Sequence, residues 1–184
     1  MTAILETERL SLRPLEPADE ASMLEVWGDP VAMRFYPQAL DREGVRQWIE
    51  RNRQRFAEYG GGLFGVVVKA TGELIGDCGP TRQEVEGCEE TEIGYHIQRR
   101  HWGRGYAPEA ARACIEFAFS RWKPVRVISL IRPENLPSRR VAEKNGLVLD
   151  KVVLWRNFDH CIYQMKWEDW QSVPESTPGR MRNT

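Results

Sequence analysis

The apolar positions of this chain change period several times, and each change marks an element. Across residues 7–15, Leu10 and Leu12 alternate with Ser11 and Arg13, a period of two that predicts a half-buried strand. Pro17 and Asp19 then open a short helical stretch to about Val26. A second helix starts near Asp41, with Val45, Trp48, Ile49 and Phe56 along one face. It stops at Gly60, Gly61 and Gly62, because glycine suits left-handed C-terminal caps and is poor inside helices. The intervening WGDPVAMRFYP reads as irregular.

Leu63 to Lys69 and Glu73 to Gly79 are β-prone runs joined through Ala70, Thr71 and Gly72, and Thr91 to Ile97 completes an antiparallel meander. Residues 80–90 read as an exposed loop between the last two. From Gly105 to Trp122 the period becomes helical, with Ala107, Ala110, Cys114, Phe117 and Ala118 on one face, until Lys123 and Pro124 end it. Val125 to Ile131 reads as a buried strand and Pro137 to Lys144 as a helix closed by Asn145 and Gly146. Residues 147–156 and 161–167 form a hairpin around Asn157, Phe158 and Asp159. The order β, αα, βββ, α, β, α, ββ is that of a mixed α/β protein. At 184 residues the chain is sized for one domain, expected over 1–171, and 172–184, with two prolines and no apolar period, is expected to be a frayed tail.

Charge removes several functions. With 26 basic and 27 acidic residues there is no global field to hold a polyanion, so nucleic acid is not an expected partner. Glu6, Glu8, Arg9 and Arg13 interrupt any signal-peptide core, and no run approaches the roughly 18–20 apolar residues of a membrane span. A cytoplasmic protein without a membrane partner is the default expectation, with monomer and homodimer both open. Cys78, Cys88, Cys114 and Cys161 are scattered without a CxxC pair, and His96 and His101 are five apart, off the spacing that puts two ligands on one helical face. No metal is expected.

Candidate chemistry concentrates in EIGYHIQRRHWGRGYAPEAA, residues 92–111, where a strand leads through a basic, glycine-bearing loop into a helix. Backbone N–H groups at a helix start lack intrahelical partners and lie at the positive end of the dipole, so they can bind a phosphate. Gly103 and Gly105 allow close approach, and Arg99, Arg100 and Arg104 add charge nearby. Hydrogen bonds to charged groups contribute about 1.5–3 kcal/mol each, so a few such contacts suffice to secure a pyrophosphate. The same residues also fit an ordinary turn beside a solvated basic face. The run lacks the phosphate-loop lysine and the third glycine of a dinucleotide fingerprint.

In its wording the chain resembles the GNAT superfamily of acetyl-CoA-dependent N-acetyltransferases, specifically the RimJ/RimL-like branch that acetylates ribosomal-protein N-termini. The runs that carry the resemblance are ETERLSLRPLEPAD (6–19), IGDCG (75–79), EIGYHI (92–97), HWGRGYAPEA (101–110) and PENLPSRRVAEKNG (133–146). The family loop Q/R-x-x-G-x-G/A reads here Arg100, His101, Trp102, Gly103, Arg104, Gly105. The resemblance implies a seven-stranded mixed sheet with splayed central strands, flanked by about four helices. It implies acetyl-CoA as cosubstrate and an amine acceptor, either a protein N-terminus or a small aminoglycoside-like molecule. Backbone around Ile97 and Arg99 would meet the pantetheine. Arg100, Trp102, Gly103, Arg104, Gly105, Tyr106 and Ala107 would wrap the pyrophosphate, largely by main-chain N–H groups.

Asn135 and Ser138 are helix-start caps on the residues alone; the resemblance places them instead at the family's N-x-x-S, near the pantetheine and the thioester sulfur. Glu92 stands where many relatives carry a catalytic glutamate and is the candidate base, with a cross-strand surface pairing as its other reading. Tyr95 and His96 are weaker candidates, Tyr95 also as a substrate contact. Ala142 replaces the tyrosine that many relatives use as thiolate acid, which leaves Ser138 as the substitute, and Leu147 replaces a phenylalanine. Trp27, Arg34, Phe35, Tyr36, Trp155 and Arg156 are candidate acceptor walls, or simply core. The rival function is a catalytically silent acyl-CoA-binding domain.

Overall fold

The computed structural model describes residues 2–172. These form one sheet of eight strands: β1 (Leu5–Glu6), β2 (Leu10–Arg13), β3 (Phe64–Val68), β4 (Glu73–Val85), β5 (Cys88–Ile97), β6 (Arg126–Ile131), β7 (Val148–Trp155) and β8 (Phe158–Lys166). Their spatial order is β1-β2-β3-β4-β5-β6-β8-β7, and every neighbouring pair is antiparallel except β5 and β6. The helices are α1 (Glu20–Trp27), α2 (Arg42–Tyr59), α3 (Tyr106–Trp122), α4 (Leu136–Lys144) and α5 (Trp167–Ser172).

Helices cover both faces. On one, Ala110, Cys114 and Ala118 of α3 bury Leu10, Leu12, Phe64, Val66 and Cys78. On the other, Met23 and Val26 of α1 and Val45 and Ile49 of α2 bury Leu15, Leu63 and Leu74. Full burial of such side chains contributes about 1.5–3 kcal/mol each, so the alternation of Leu10 and Leu12 is enough to fix which face of β2 turns inward. No helix among the described residues is long and apolar enough to cross a membrane.

The mixed α/β class holds, with eight strands instead of seven and five helices instead of about four. The extra strand is the two-residue β1, which folds back on β2. The expected loop at 80–90 is instead the outer half of a long hairpin, in which β4 and β5 pair as far as Val85 and Cys88. Glu86 and Gly87 turn it, both with positive φ. Pro80 is tolerated inside β4 because its backbone faces Gly62, whose N–H meets the Pro80 carbonyl at 2.8 Å, beyond the first residue of β3. In the last hairpin the turn is the pair Arg156 and Asn157, both left-handed, so Phe158 and Asp159 belong to β8. α5 was missed because its apolar signal is short: Trp170 packs on Phe119, with ring centroids 5.7 Å apart. The expected tail begins at 172, but Ser172 is the last residue of α5; the rest of the expected tail, from 173 onward, lies outside the described residues.

Candidate active site

β5 and β6 are parallel and pair only at Thr91 with Val127 and Glu92 with Ile128. Beyond Glu92 the two strands part, although β5 stays paired with β4 to Ile97. A side chain bridges the start of the gap, Ser129 Oγ donating to the Ile93 carbonyl at 2.9 Å. The splay that the resemblance implies is therefore present, and it opens a cleft through the sheet.

On one side of the gap lies a cleft of about 460 Å3, lined by Ile97, His101, Trp102, Gly103, Gly105, Tyr106 and Ala107 and by Arg140, Val141 and Lys144 of α4. The N-termini around it are treated differently. Asp41 caps α2 through Gly44 N–H at 2.8 Å, and Asn135 caps α4 through Ser138 N–H at 3.3 Å. α3 starts at Gly105, in the left-handed region with φ 81°, with no side-chain cap. Its first-turn N–H groups are left to an external anion. The backbone bends into this position at Gly103, φ 76°, where a Cβ would meet no atom within 4 Å but a side chain would be strained. The cations Arg140 and Lys144, with no carboxylate at ion-pair distance among the described residues, complete a wall suited to an anionic cofactor.

The expected contribution of Arg99 and Arg100 side chains changes. Arg99 pairs with Asp29 at 2.9 Å, and Arg100 pairs with Glu25 and, at 2.6 Å, with Glu73. Both residues line a separate depression beside α1, and neither is in the lining of the cleft. Trp102 Nε1 donates to the Ile97 carbonyl at 2.6 Å, so this carbonyl already carries one bond. Arg9, which carried no signal in the sequence, anchors the loop: it donates to the Arg104 carbonyl at 3.0 Å, pairs with Glu109 of α3 and stacks on Tyr106 at 4.8 Å.

The other side of the gap is a smaller cavity of about 240 Å3 that shares Tyr36, Tyr95, His96, Asn135 and Ser138 with the first. Glu92 lines it, receiving Gln83 Nε2 at 2.8 Å and Thr81 Oγ1 at 3.3 Å. Its surface remains partly accessible through the cavity, yet burial against protein on the other sides pushes its pKa above the usual carboxylate range, opposed by the Gln83 hydrogen bond. Tyr95 and Ser138 close on each other: the Tyr95 hydroxyl donates to the Ser138 carbonyl at 2.8 Å, and Ser138 Oγ donates to that hydroxyl at 3.2 Å. Ala142 is buried and Leu147 lies in the core, so neither offers a polar group to the cleft.

A chain that the sequence did not announce runs through Asp77. Fully buried on β4, Asp77 accepts from Trp27 Nε1 and Trp48 Nε1, both at 3.0 Å, and contacts His96 Nδ1 at 2.6 Å. A carboxylate oxygen only accepts, so His96 Nδ1 donates to it; in the neutral imidazole Nε2 then accepts from the Tyr36 hydroxyl, 2.6 Å away. Tyr36 keeps 42% of its surface accessible, but enclosure of its hydroxyl, together with the charges of Glu92 and Asp77, raises the phenol pKa. With the imidazole neutral, the Tyr36 proton is committed to His96, and the hydroxyl oxygen remains an acceptor in the cavity wall. Trp27 is buried, its N–H spent on Asp77, so it offers only a ring face.

Known proteins resemble this chain in sequence and in fold. The chain is 38% identical over 163 residues to YkkB of Bacillus subtilis (strain 168), covering 88% of this chain and 95% of that one. It is 32% identical over 157 residues to p20 of Bacillus licheniformis, described as an N-acetyltransferase, covering 84% of this chain and 86% of that one. Among solved structures, the acetyltransferase from Agrobacterium tumefaciens str. C58 superposes with a TM-score of 0.77 at 30% identity, covering 88% of this chain and 92% of that one. Residues 9–148, which hold the parted strands, the glycine loop and α4, match the family model of the acetyltransferase (GNAT) domain, and the chain belongs to that family of N-acetyltransferases.

Proposed function

We propose that the chain transfers acetyl from acetyl-CoA to a primary amine by direct attack, with Glu92 taking the proton the amine must lose. When bound, acetyl-CoA supplies an acetyl group activated as a thioester. The observation that carries the reading is the position of Glu92 at the point where β5 and β6 part, in the wall of a cavity that shares residues with the cleft below α3. A carboxylate whose pKa is raised toward the working pH is a better proton acceptor than an ordinary one. Tyr36 supports the same reading, since its hydroxyl oxygen, an acceptor in the cavity wall, accepts from an ammonium or amine.

In this proposal the N–H groups of Gly103 to Ala107, with the main chain at Ile97, Arg99, Arg100 and Trp102, hold the pantetheine and pyrophosphate. Ser138, on turning its hydroxyl proton away from Tyr95, hydrogen-bonds the departing sulfur, and Asn135 positions it by capping α4. Tyr95 orients Ser138, and Trp27 and Tyr36 bound the acceptor. The RimJ/RimL-like wording favours an α-amine, as at a protein N-terminus, over an aminoglycoside-like amine, and a cytoplasmic location goes with it. The test is a screen of amines with acetyl-CoA, following free thiol. Release of thiol that depends on an amine supports the proposal, and acetyl-CoA binding without turnover of any amine would make the chain a silent acyl-CoA-binding domain.

A further inference from the structure

The acceptor cavity has an uneven charge. Its lining includes three arginines, Arg55, Arg132 and Arg156, and a single carboxylate, Glu92. None of the three has a close carboxylate partner among the described residues. Arg132 comes nearest, with Nε 3.7 Å from the exposed Glu134, and that Nε is buried without a hydrogen-bond partner. Arg156 donates a hydrogen bond to the amide oxygen of Gln83, at 3.3 Å, and forms no ion pair among the described residues, nor does Arg55. The other titratable residue at this end, His160, is held toward its neutral form, because burial lowers its pKa.

Two of these guanidiniums are fixed. Arg132 lies over the Phe158 ring at 4.5 Å and Arg156 over the Trp155 ring at 4.2 Å, so each has an aromatic face behind it and keeps its N–H edge for another group. Arg156 is held there by the hairpin turn, in a left-handed conformation that a non-glycine residue rarely adopts. Gln83 joins the two ends of the site, donating to Glu92 at 2.8 Å while accepting from Arg156. A proton acceptor and an unpaired guanidinium are thus one amide apart.

From this arrangement we infer that the acceptor is a compact amine carrying its own carboxylate or similar acidic group, separated from the nitrogen by a few bonds, on a hydrophobic body. The amine meets Glu92 and Tyr36, the acid meets Arg156 and Arg132, and the body lies against the rings of Trp27, Phe35 and Trp155. Guanidiniums bind carboxylates with paired, charge-assisted hydrogen bonds, and a cavity of one sign concentrates ligands of the other. The cavity, at about 240 Å3, is at the small end for a ligand site, which fits one small molecule. A polycation such as an aminoglycoside would bring several ammonium groups against three guanidiniums, a repulsive arrangement.

This inference rests on the proposed amine acetylation but gives the acceptor as a small acidic amine in place of a protein N-terminus, and its test separates the two. The wild-type enzyme and acetyl-CoA are offered phenylalanine, 3-amino-3-phenylpropanoate and 4-amino-3-phenylbutanoate, each beside its carboxamide, together with kanamycin and an alanine-initiated tripeptide amide. The expected result is a carboxylate preferred over its carboxamide by about tenfold or more in kcat/KM, with kanamycin and the peptide amide poorer. In Arg156→Gln, at an exposed turn where folding is not at stake, and in the double variant with Arg132→Gln, the carboxylate-to-carboxamide ratio falls toward one. Better turnover of the carboxamides, kanamycin or the peptide, or a ratio the variants leave intact, overturns the inference while the acetyltransferase reading stands. If no amine is turned over, that reading fails, and calorimetry with the N-acetylated acids against their amides in the presence of CoA still decides the inference: equal binding defeats it.

Discussion

His96 Nδ1 stands 2.6 Å from Asp77 Oδ1, and the carboxylate it meets has no exposure to solvent. Two indole N–H groups converge on the other oxygen, so one buried side chain satisfies donors from α1, α2 and β5 at once. Because an unsatisfied buried polar group costs about 1–3 kcal/mol, Asp77→Ala, which strands three donors, is expected to destabilise the protein by about 3 kcal/mol or more. Asp77→Asn, which keeps one acceptor oxygen, should fall between. Urea denaturation measures both, and an Asp77→Ala protein as stable as wild type would remove Asp77 as the clamp.

Glu92→Gln separates chemistry from folding. As general base, Glu92 must be ionised, so its loss should reduce turnover at neutral pH by about 10²-fold, with partial recovery as pH rises and the free amine becomes more abundant. Stability moves the other way. A carboxyl whose folded pKa is raised binds its proton more tightly in the fold, so wild type loses stability as pH rises from the ordinary carboxylate range through the folded pKa. Glu92→Gln should escape that loss and match or exceed wild-type stability at pH 7, the difference closing in acid. A wild-type pH–rate profile in the variant would take Glu92 out of the mechanism.

Gly103 and Gly72 share a left-handed backbone, with φ 76° and 71° and open space around each. Only Gly103 borders the cleft at α3. Gly103→Glu and Gly72→Glu should therefore carry similar backbone strain, whereas Gly103→Glu alone should weaken acetyl-CoA binding by about tenfold or more. Isothermal titration with both variants checks this. Equal affinities would detach the loop from the cofactor.

Asn135→Ala and Ser138→Ala lie three residues apart at the start of α4 and should behave differently. Asn135 is the cap, so its loss should cost about 1 kcal/mol of stability. Ser138 Oγ does not cap the helix but meets Tyr95 at 3.2 Å beside the shared cleft, so Ser138→Ala should lower kcat with little change in melting temperature or acetyl-CoA affinity. A variant that loses only stability would return Ser138 to a structural role.

The sequence by itself determined the elements whose causes are local. Alternation at Leu10 and Leu12, the glycine stop after α2, the left-handed glycines before α3 and the Asn135 start of α4 are set by backbone sterics and short-range hydrogen bonds, which act within a few residues. The glycine loop was legible for the same reason, and Glu92 because it belongs to the same run. Tertiary structure decided what depends on partners far along the chain. Nothing near Asp77 in sequence shows that Trp27, Trp48 and His96 converge on it, and Arg9 and Arg104 meet only because the β2 edge passes beside the start of α3. Arg99 and Arg100 read as cofactor charges because their own carboxylates, Asp29, Glu25 and Glu73, lie 27 or more residues away. The arginines of the proposed acceptor cavity come from α2, the end of β6 and the last hairpin, and are brought around Glu92 by strand order, which a linear pattern does not encode.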